Sequence, residues 1–279
     1  MRNAKTIQIF LPDGNPRGVR IADFKRLDTK VYLIPQSSLN LALKRDELSV
    51  PALYILFGEN KVDGKQTAYI GEAENFAKRI RDADHQKREW MYAIVAISKH
   101  QEITKTEVKY LESISIDAAR KANRYRLENN KTSNKPHVRE SDEAEILNYF
   151  ETMQLLVSTL GYPIFDEAAK GKKEDLLYCR GKGAQAIGEY TDDGLVVFAG
   201  STCALKVPET AGAWINQKRK ELMVQGILKL EGDLYRFTEN YVFSAPSAAA
   251  NVVLARHANG WKEWKYENGK TLDEVKRQN

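Results

Sequence analysis

The residues with the most capacity for chemistry lie between positions 54 and 112. Tyr54 sits in the apolar run ALYILF, and Tyr69 sits in TAYIG, just ahead of Gly71. Arg79 follows in ENFAKRIRDA, and Glu112 falls within KYLES. Neighbouring antiparallel strands bring same-face side chains to within about 5 Å, so two phenolic hydroxyls can share one small space. A guanidinium offers a planar fork of donors that matches the oxygens of a phosphate. One carboxylate, with waters and a phosphate oxygen, is an ordinary way to hold Mg²⁺. Each residue also has a plain structural reading. The tyrosines can be half-buried strand aromatics, Gly71 a strand-to-helix turn, Arg79 a surface residue, and Glu112 a stripe-edge carboxylate that reaches water or a lysine.

The elements that must position these groups are readable from periodicity. ALYILF and TAYIG are expected as strands joined by GENKVDGKQ, with Gly58, Asp63 and Gly64 as turn residues. ENFAKRIRDA is amphipathic, with Phe76, Ala77, Ile80 and Ala83 on one face, and predicts one helix. MYAIVAIS alternates as a third strand. ITKTEVKYLESISIDAARKA is the strongest helix, opened near Lys105 by a capping box of Thr104 and Glu107. Its spacing puts Glu112 on the face of Val108, Leu111, Ser115 and Ala119. A carboxylate there costs of order several kcal/mol of desolvation unless a charge meets it.

The order strand with Tyr54, strand with Tyr69-Ile70-Gly71, helix with Arg79, strand, helix with Glu112 resembles the GIY-YIG nuclease family. The resemblance covers roughly residues 50–160. The YIG element is intact, whereas Ala52-Leu53-Tyr54 keeps the tyrosine of the GIY element and lacks its glycine. Arg79 and Glu112 match the family's arginine and its metal-binding glutamate, and Asn129 in ANRYRLENN matches the asparagine that closes the motif set. The family's histidine or tyrosine, one turn past the arginine, falls on Ala83, and the nearest candidate is His85, read either as a site residue or as a solvated loop histidine. The resemblance implies metal-dependent phosphodiester hydrolysis, with Mg²⁺ or Mn²⁺ on Glu112, Arg79 on the phosphate and the tyrosines orienting water. Tyr54 is then expected to accept the water's proton with its pKa lowered by Arg79 or the metal. Gly71 and Lys78 are carried as contacts to the nucleic acid.

The flanks differ in character. TIQIFL, the turn PDGNPRG, VRIADF and KVYLIP read as a β-rich N-terminal extension over 1–49, closed by a short helix at 37–48 with Ser37 or Ser38 as cap. The nuclease-like domain is placed at 50–165, a linker, DEAAKGKKED, at 166–175, and a second α+β domain at 176–279. That domain resembles a small domain of unknown function found behind such nucleases. Its APSAAA and NGWKEW elements are similar to the restriction enzyme and adenine methylase associated domain, which is thought to bind DNA. Aromatics between lysines can stack on bases and pair with phosphates, which singles out Trp261, Lys262 and Lys265. The plain alternative has Trp261 and Trp264 closing a small core and Ser247 capping a packing helix.

The chain of 279 residues carries a net charge of +5, which permits a polyanionic partner without demanding one. Two cysteines form neither a disulfide framework nor a zinc spacing, and no stretch has the length of a membrane span, so a cytoplasmic setting is expected. The expected fold is α+β: a small, mainly antiparallel sheet flanked by helices, a β-hairpin extension, and a second small α+β domain. The expected function is metal-dependent endonuclease action on DNA, with RNA as a further substrate. The alternatives are a nuclease-derived module that binds nucleic acid without cutting, and a protein-interaction scaffold.

Overall fold

The computed structural model describes residues 4–60, 66–86, 88–100, 102–129, 135–167, 171–208 and 211–278. The chain is α+β throughout and divides into two compact units, Met1–Asp166 and Glu167–Asn279.

The first unit is built on one sheet. Its strands are β1 (Gln8–Phe10), β2 (Arg20–Asp23), β3 (Thr29–Pro35), β4 (Ala52–Glu59), β5 (Gln66–Ala73), β6 (Tyr92–Ser98) and β7 (Arg126–Leu127), in the order β1-β2-β3-β6-β4-β5-β7. All neighbours are antiparallel except β5 and β7. The N-terminal strands thus join the same sheet as β4 and β5, through the long β3–β6 pairing. The helices are α1 (Leu39–Ala42), α2 (Phe76–Arg79), α3 (Ala83–Gln86), α4 (Lys105–Ala122) and α5 (Glu140–Thr159).

Both faces of the central strands are covered, which is why β4 reads as an unbroken apolar run. On one face Leu33, Leu53, Ile55, Phe57, Ile70 and Ile94 pack with Leu111 of α4 and Met153 and Leu156 of α5. On the other, Tyr32, Ile34, Tyr54, Leu56 and Val95 pack with Phe76, Ile80 and Trp90. Fully burying one such side chain is worth about 1.5–3 kcal/mol.

Helix α4 opens on the expected capping box of Thr104 and Glu107 and ends where Asn123 turns into the left-handed region, φ 49°. Two helical expectations are corrected. Residues 37–48 form only α1 between two 3₁₀ turns, and the Ser38 side chain makes no capping bond. ENFAKRIRDA is two short helices. After Ile80 the backbone ladder tightens to three-residue steps, Arg81 N to Lys78 O and Asp82 N to Arg79 O, both 3.1 Å. Arg81 Nη1 also donates to the Ala77 carbonyl at 2.9 Å, so the α-helical turn is not continued. Of the expected β4–β5 turn, Asp63 and Gly64 lie outside the described residues, and Gly58 is inside β4, paired with Thr67.

The second unit holds two sheets. One is the five-stranded β14-β10-β9-β8-β15, from β8 (Leu176–Gly181), β9 (Ala184–Thr191), β10 (Gly194–Val197), β14 (Tyr241–Phe243) and β15 (Lys265–Tyr266). The other is the three-stranded β11-β13-β12, from β11 (Thr202–Ala204), β12 (Leu228–Glu231) and β13 (Leu234–Phe237). Helices α6 (Ala213–Val224), α7 (Pro246–Leu254), α8 (Gly260–Glu263) and α9 (Leu272–Lys276) complete it. Cys179 and Cys203 are free, buried thiols in its core, and burial pushes both up to about 12. Among the described residues, no helix is long and apolar enough to cross a membrane.

Candidate active site

The β4–β5 register decides where the tyrosines meet. Tyr54 lies directly across from Gly71, and Tyr69 across from Leu56, so both rings point to the same face two residues apart along the ladder. The ring centroids are 6.2 Å apart. Tyr54 lies flat across Gly71: a Cβ there would fall 2.5 Å from both Cζ and the hydroxyl oxygen of Tyr54. Gly71 is therefore a buried mid-strand seat for Tyr54, not the turn or nucleic-acid contact expected from the sequence.

The break between α2 and α3 carries His85 beneath the same tyrosine. The imidazole is fully buried, and its Nε2 lies 2.8 Å from the Tyr54 hydroxyl. Its Nδ1 has no hydrogen-bond partner among the described residues. If Tyr54 donates, Nε2 accepts and Nδ1 carries the proton; if Nε2 donates, Nδ1 is a bare lone pair. Burial first, and then the charge of Arg79, hold the imidazole below its ordinary value, so it is neutral at neutral pH. Tyr54 departs from expectation in the other direction. Burial and then Tyr69 raise it, and the nearby positive charge of Arg79 only moderates the rise. A lowered Tyr54 is thus corrected to a neutral phenol poised on a neutral imidazole.

Arg79 ends α2, which Asn75 caps by accepting from Lys78 N at 3.0 Å. Its Nη1 pairs with Asp82 at 2.7 Å and its Nη2 with Asp84 at 3.4 Å. Glu112 comes from α4, which packs against β5, and is half-buried. An open cavity of about 440 Å³ brings these groups together: Tyr54, Tyr69, Arg79 and Glu112 line it, with Glu72, Glu74, Asp82, Lys78 and Lys105. Lys105 and Glu74 pair at 2.5 Å.

The cavity lining suits a divalent cation. Four carboxylates, Glu72, Glu74, Asp82 and Glu112, stand against three cations, Lys78, Arg79 and Lys105. An added dication reverses that balance to match a singly charged phosphodiester. Every candidate ligand is an oxygen, the donor that Mg²⁺ and Mn²⁺ prefer. Among the described residues no group of three or more His, Cys, Asp or Glu forms a ready metal cluster, so a bound ion would rely on Glu112, water and substrate oxygens.

Asn129 is near the site but does not enter it. Its Oδ1 accepts from Ile70 N at 3.0 Å and its Nδ2 donates to Ile70 O at 2.7 Å. Glu128 N donates to Ala68 O at 2.9 Å just before it. The asparagine side chain thus continues the β7 pairing along β5 and fixes the strand between Tyr69 and Gly71. The expected catalytic role becomes a positioning one.

Arg88 and the extra lining charges were not legible in the sequence. The Arg88 guanidinium stacks on Tyr69, 3.9 Å from the ring centroid, and its Nη1 pairs with Glu128 at 2.5 Å. Nothing in the spacing of HQKREW signals that stack. Lys105 reads in the sequence only as the first helical residue after the Thr104 cap.

In the second unit one of the three expected nucleic-acid contacts, Trp261, is used internally, as is the neighbouring Trp264. Trp264 is buried, with Nε1 donating to Pro246 O at 3.2 Å. Trp261 is half-buried, with Arg277 stacked 3.6 Å above its ring and Tyr190 against its edge at 5.3 Å. That face of Trp261 is covered, which corrects its assignment as an open base-stacking platform. A Cβ on Gly260 would lie 2.1 Å from the Pro246 carbonyl, so NGW is a close-contact clamp between α7 and α8. Ser247 accepts from Gly260 N at 3.0 Å, and α7 starts on Pro246 with no side-chain cap. Lys262 and Lys265 are both exposed.

Residues 177–276 match the family model described as a domain of unknown function, DUF4357. No curated protein and no solved structure matches the chain.

Proposed function

We propose that the first unit is a metal-dependent nuclease site of the GIY-YIG type that hydrolyses phosphodiester bonds in nucleic acid, with DNA the expected polymer. The observation that carries this reading is the single cavity in which β4, β5, α2 and α4 present Tyr54, Tyr69, Arg79 and Glu112 to one another. Scaffold tyrosines and a surface arginine have no reason to converge with a half-buried carboxylate in this way.

Glu112 is the residue that would hold Mg²⁺ or Mn²⁺, which supplies charge neutralisation for the phosphate and the departing oxygen. The rest of the chemistry belongs to the chain. Arg79 donates to phosphate oxygens. Tyr54 accepts the proton of the attacking water as its own proton passes to His85 Nε2, 2.8 Å away. Neither group starts charged, so the relay needs no phenolate at neutral pH. Tyr69, braced by the stacked Arg88, orients the water or the phosphate. Asn129 and Gly71 hold the strand and the ring in place. The second unit adds affinity through Lys262 and Lys265, which both reach solvent.

A second reading, a module that binds nucleic acid without cutting, is favoured by one observation: Arg79 is already engaged by Asp82 and Asp84. The two readings separate when the protein is incubated with plasmid, single-stranded DNA and RNA, each with Mg²⁺, Mn²⁺ or EDTA. Metal-dependent cleavage of any of the three supports the nuclease. A mobility shift without cleavage under every condition supports the binder.

A further inference from the structure

Arg79 is not open to an incoming phosphate. Both of its terminal nitrogens face carboxylates, Nη1 on Asp82 at 2.7 Å and Nη2 on Asp84 at 3.4 Å. Asp82 itself lines the cavity, whereas Asp84 is not part of the lining. The turn between α2 and α3 fixes Asp82 there, because its backbone N donates to Arg79 O at 3.1 Å and its carbonyl accepts from His85 N at 3.0 Å. The side chains of Arg79, Asp82 and Asp84 are 35%, 51% and 54% exposed, so these ion pairs are weak and displaceable. A phosphate oxygen that takes the fork must displace the Asp82 carboxylate and then lie beside it.

We propose that Asp82 is a specificity-determining residue: it holds the Arg79 fork until a phosphodiester displaces it, and its retained charge excludes doubly charged phosphomonoesters. The inference rests on the reading of this cavity as a phosphodiester site and adds the residue that enforces the preference for internal over terminal phosphates. A diester carries one negative charge. A monoester carries close to two at neutral pH, because its second pKa is near 6. The second charge would sit among Asp82, Glu72, Glu74 and Glu112 in a cavity that offers only Lys78, Arg79 and Lys105 in return. Like charges at short range raise the cost of binding in proportion to the added charge.

The test uses bis(4-nitrophenyl) phosphate as the diester and 4-nitrophenyl phosphate as the monoester. Binding to the full chain is measured by NMR titration with Ca²⁺, which shares the preference of Mg²⁺ for oxygen ligands. The parent binds the diester more tightly than the monoester. Asp82→Asn binds both more tightly, the diester by about threefold to fivefold, the scale of an exposed ion pair, and the monoester by a larger factor, so the preference narrows. Asp82→Ser repeats the result if asparagine disturbs the turn. Asp84→Asn has a smaller effect, because its pair is longer. Equal affinities for the two probes in the parent, unchanged or weaker binding in both Asp82 variants, or no binding to any form overturns the proposal. Hydrolysis of the diester with Mn²⁺ is measured separately. The expected binding pattern without hydrolysis sinks the nuclease reading alone, and hydrolysis with Asp82-independent affinities sinks this inference alone.

Discussion

Replacing His85 with leucine separates the proposed proton relay from the fold. The substitution removes the 2.8 Å bond to Tyr54 and, with it, the unpartnered Nδ1. Loss of one buried neutral hydrogen bond costs about 1 kcal/mol net, and up to about 3 kcal/mol if the Tyr54 hydroxyl is left without an acceptor. Removing an orphaned polar atom and burying an apolar side chain returns a similar amount. Stability should therefore change by no more than about 1 kcal/mol. Turnover should fall by about 10²–10⁴, the range for a lost general base.

The pH dependence gives a second readout of the same group. His85 in the folded protein is held below its ordinary value, so the acid limb of kcat/KM should lie below pH ~6.5, the unperturbed imidazole value. For stability, the unfolded chain binds the proton more readily than the folded one. The His85 contribution is complete above the unfolded value and is lost as pH falls toward the lowered folded value. His85→Leu should remove that part of the acid-side loss. The assays are single-turnover cleavage of a labelled oligonucleotide across pH 4.5–8, the range spanning the imidazole transition at about 6.5, and urea unfolding at the same pH values. A leucine variant that cleaves at the parent rate refutes the relay, as does an acid limb at or above the ordinary imidazole value.

Other expectations follow from the packing. Gly71→Ala places a methyl 2.5 Å from the Tyr54 ring in a two-sided core, so it should cost about 1–3 kcal/mol and displace the hydroxyl from His85, read by urea unfolding and by loss of turnover. Alanine at both Lys262 and Lys265 should weaken duplex binding without changing the rate of the bound complex. The slope of log affinity against log salt should become shallower by about 1.8, or about 0.9 for each phosphate that is no longer neutralised. An unchanged slope removes these lysines from the interface.

The sequence made the strands legible because they alternate or run apolar over their whole length. It could not fix the register that seats Tyr54 on Gly71 instead of on Tyr69, since a two-residue shift keeps every side chain on its own face and leaves the pattern unchanged. The α2–α3 break was hidden for a related reason. ENFAKRIRDA is amphipathic enough for one helix, and the competing contacts, Arg81 to the Ala77 carbonyl and His85 to Tyr54, are tertiary or side-chain events. Asn129 stands out by its place in a pattern, yet its bonds to both polar groups of Ile70 appear only once β7 lies beside β5. In the second unit, aromatic and lysine residues in NGWKEW suggested a nucleic-acid surface. Close backbone packing at Gly260 and the Arg277 stack on Trp261 use most of that motif for the fold instead.

The most direct test of the account is single-turnover cleavage by the parent and by Glu112→Ala with Mg²⁺, alongside thermal unfolding of both. Glu112 is half-buried at the cavity wall, and the account gives it the cation. The parent should cleave DNA with Mg²⁺ and stop on addition of EDTA, while Glu112→Ala should lose metal-dependent cleavage and unfold as the parent does. A Glu112→Ala protein that cleaves at the parent rate, or a folded parent that cleaves neither DNA nor RNA with Mg²⁺ or Mn²⁺, would contradict it.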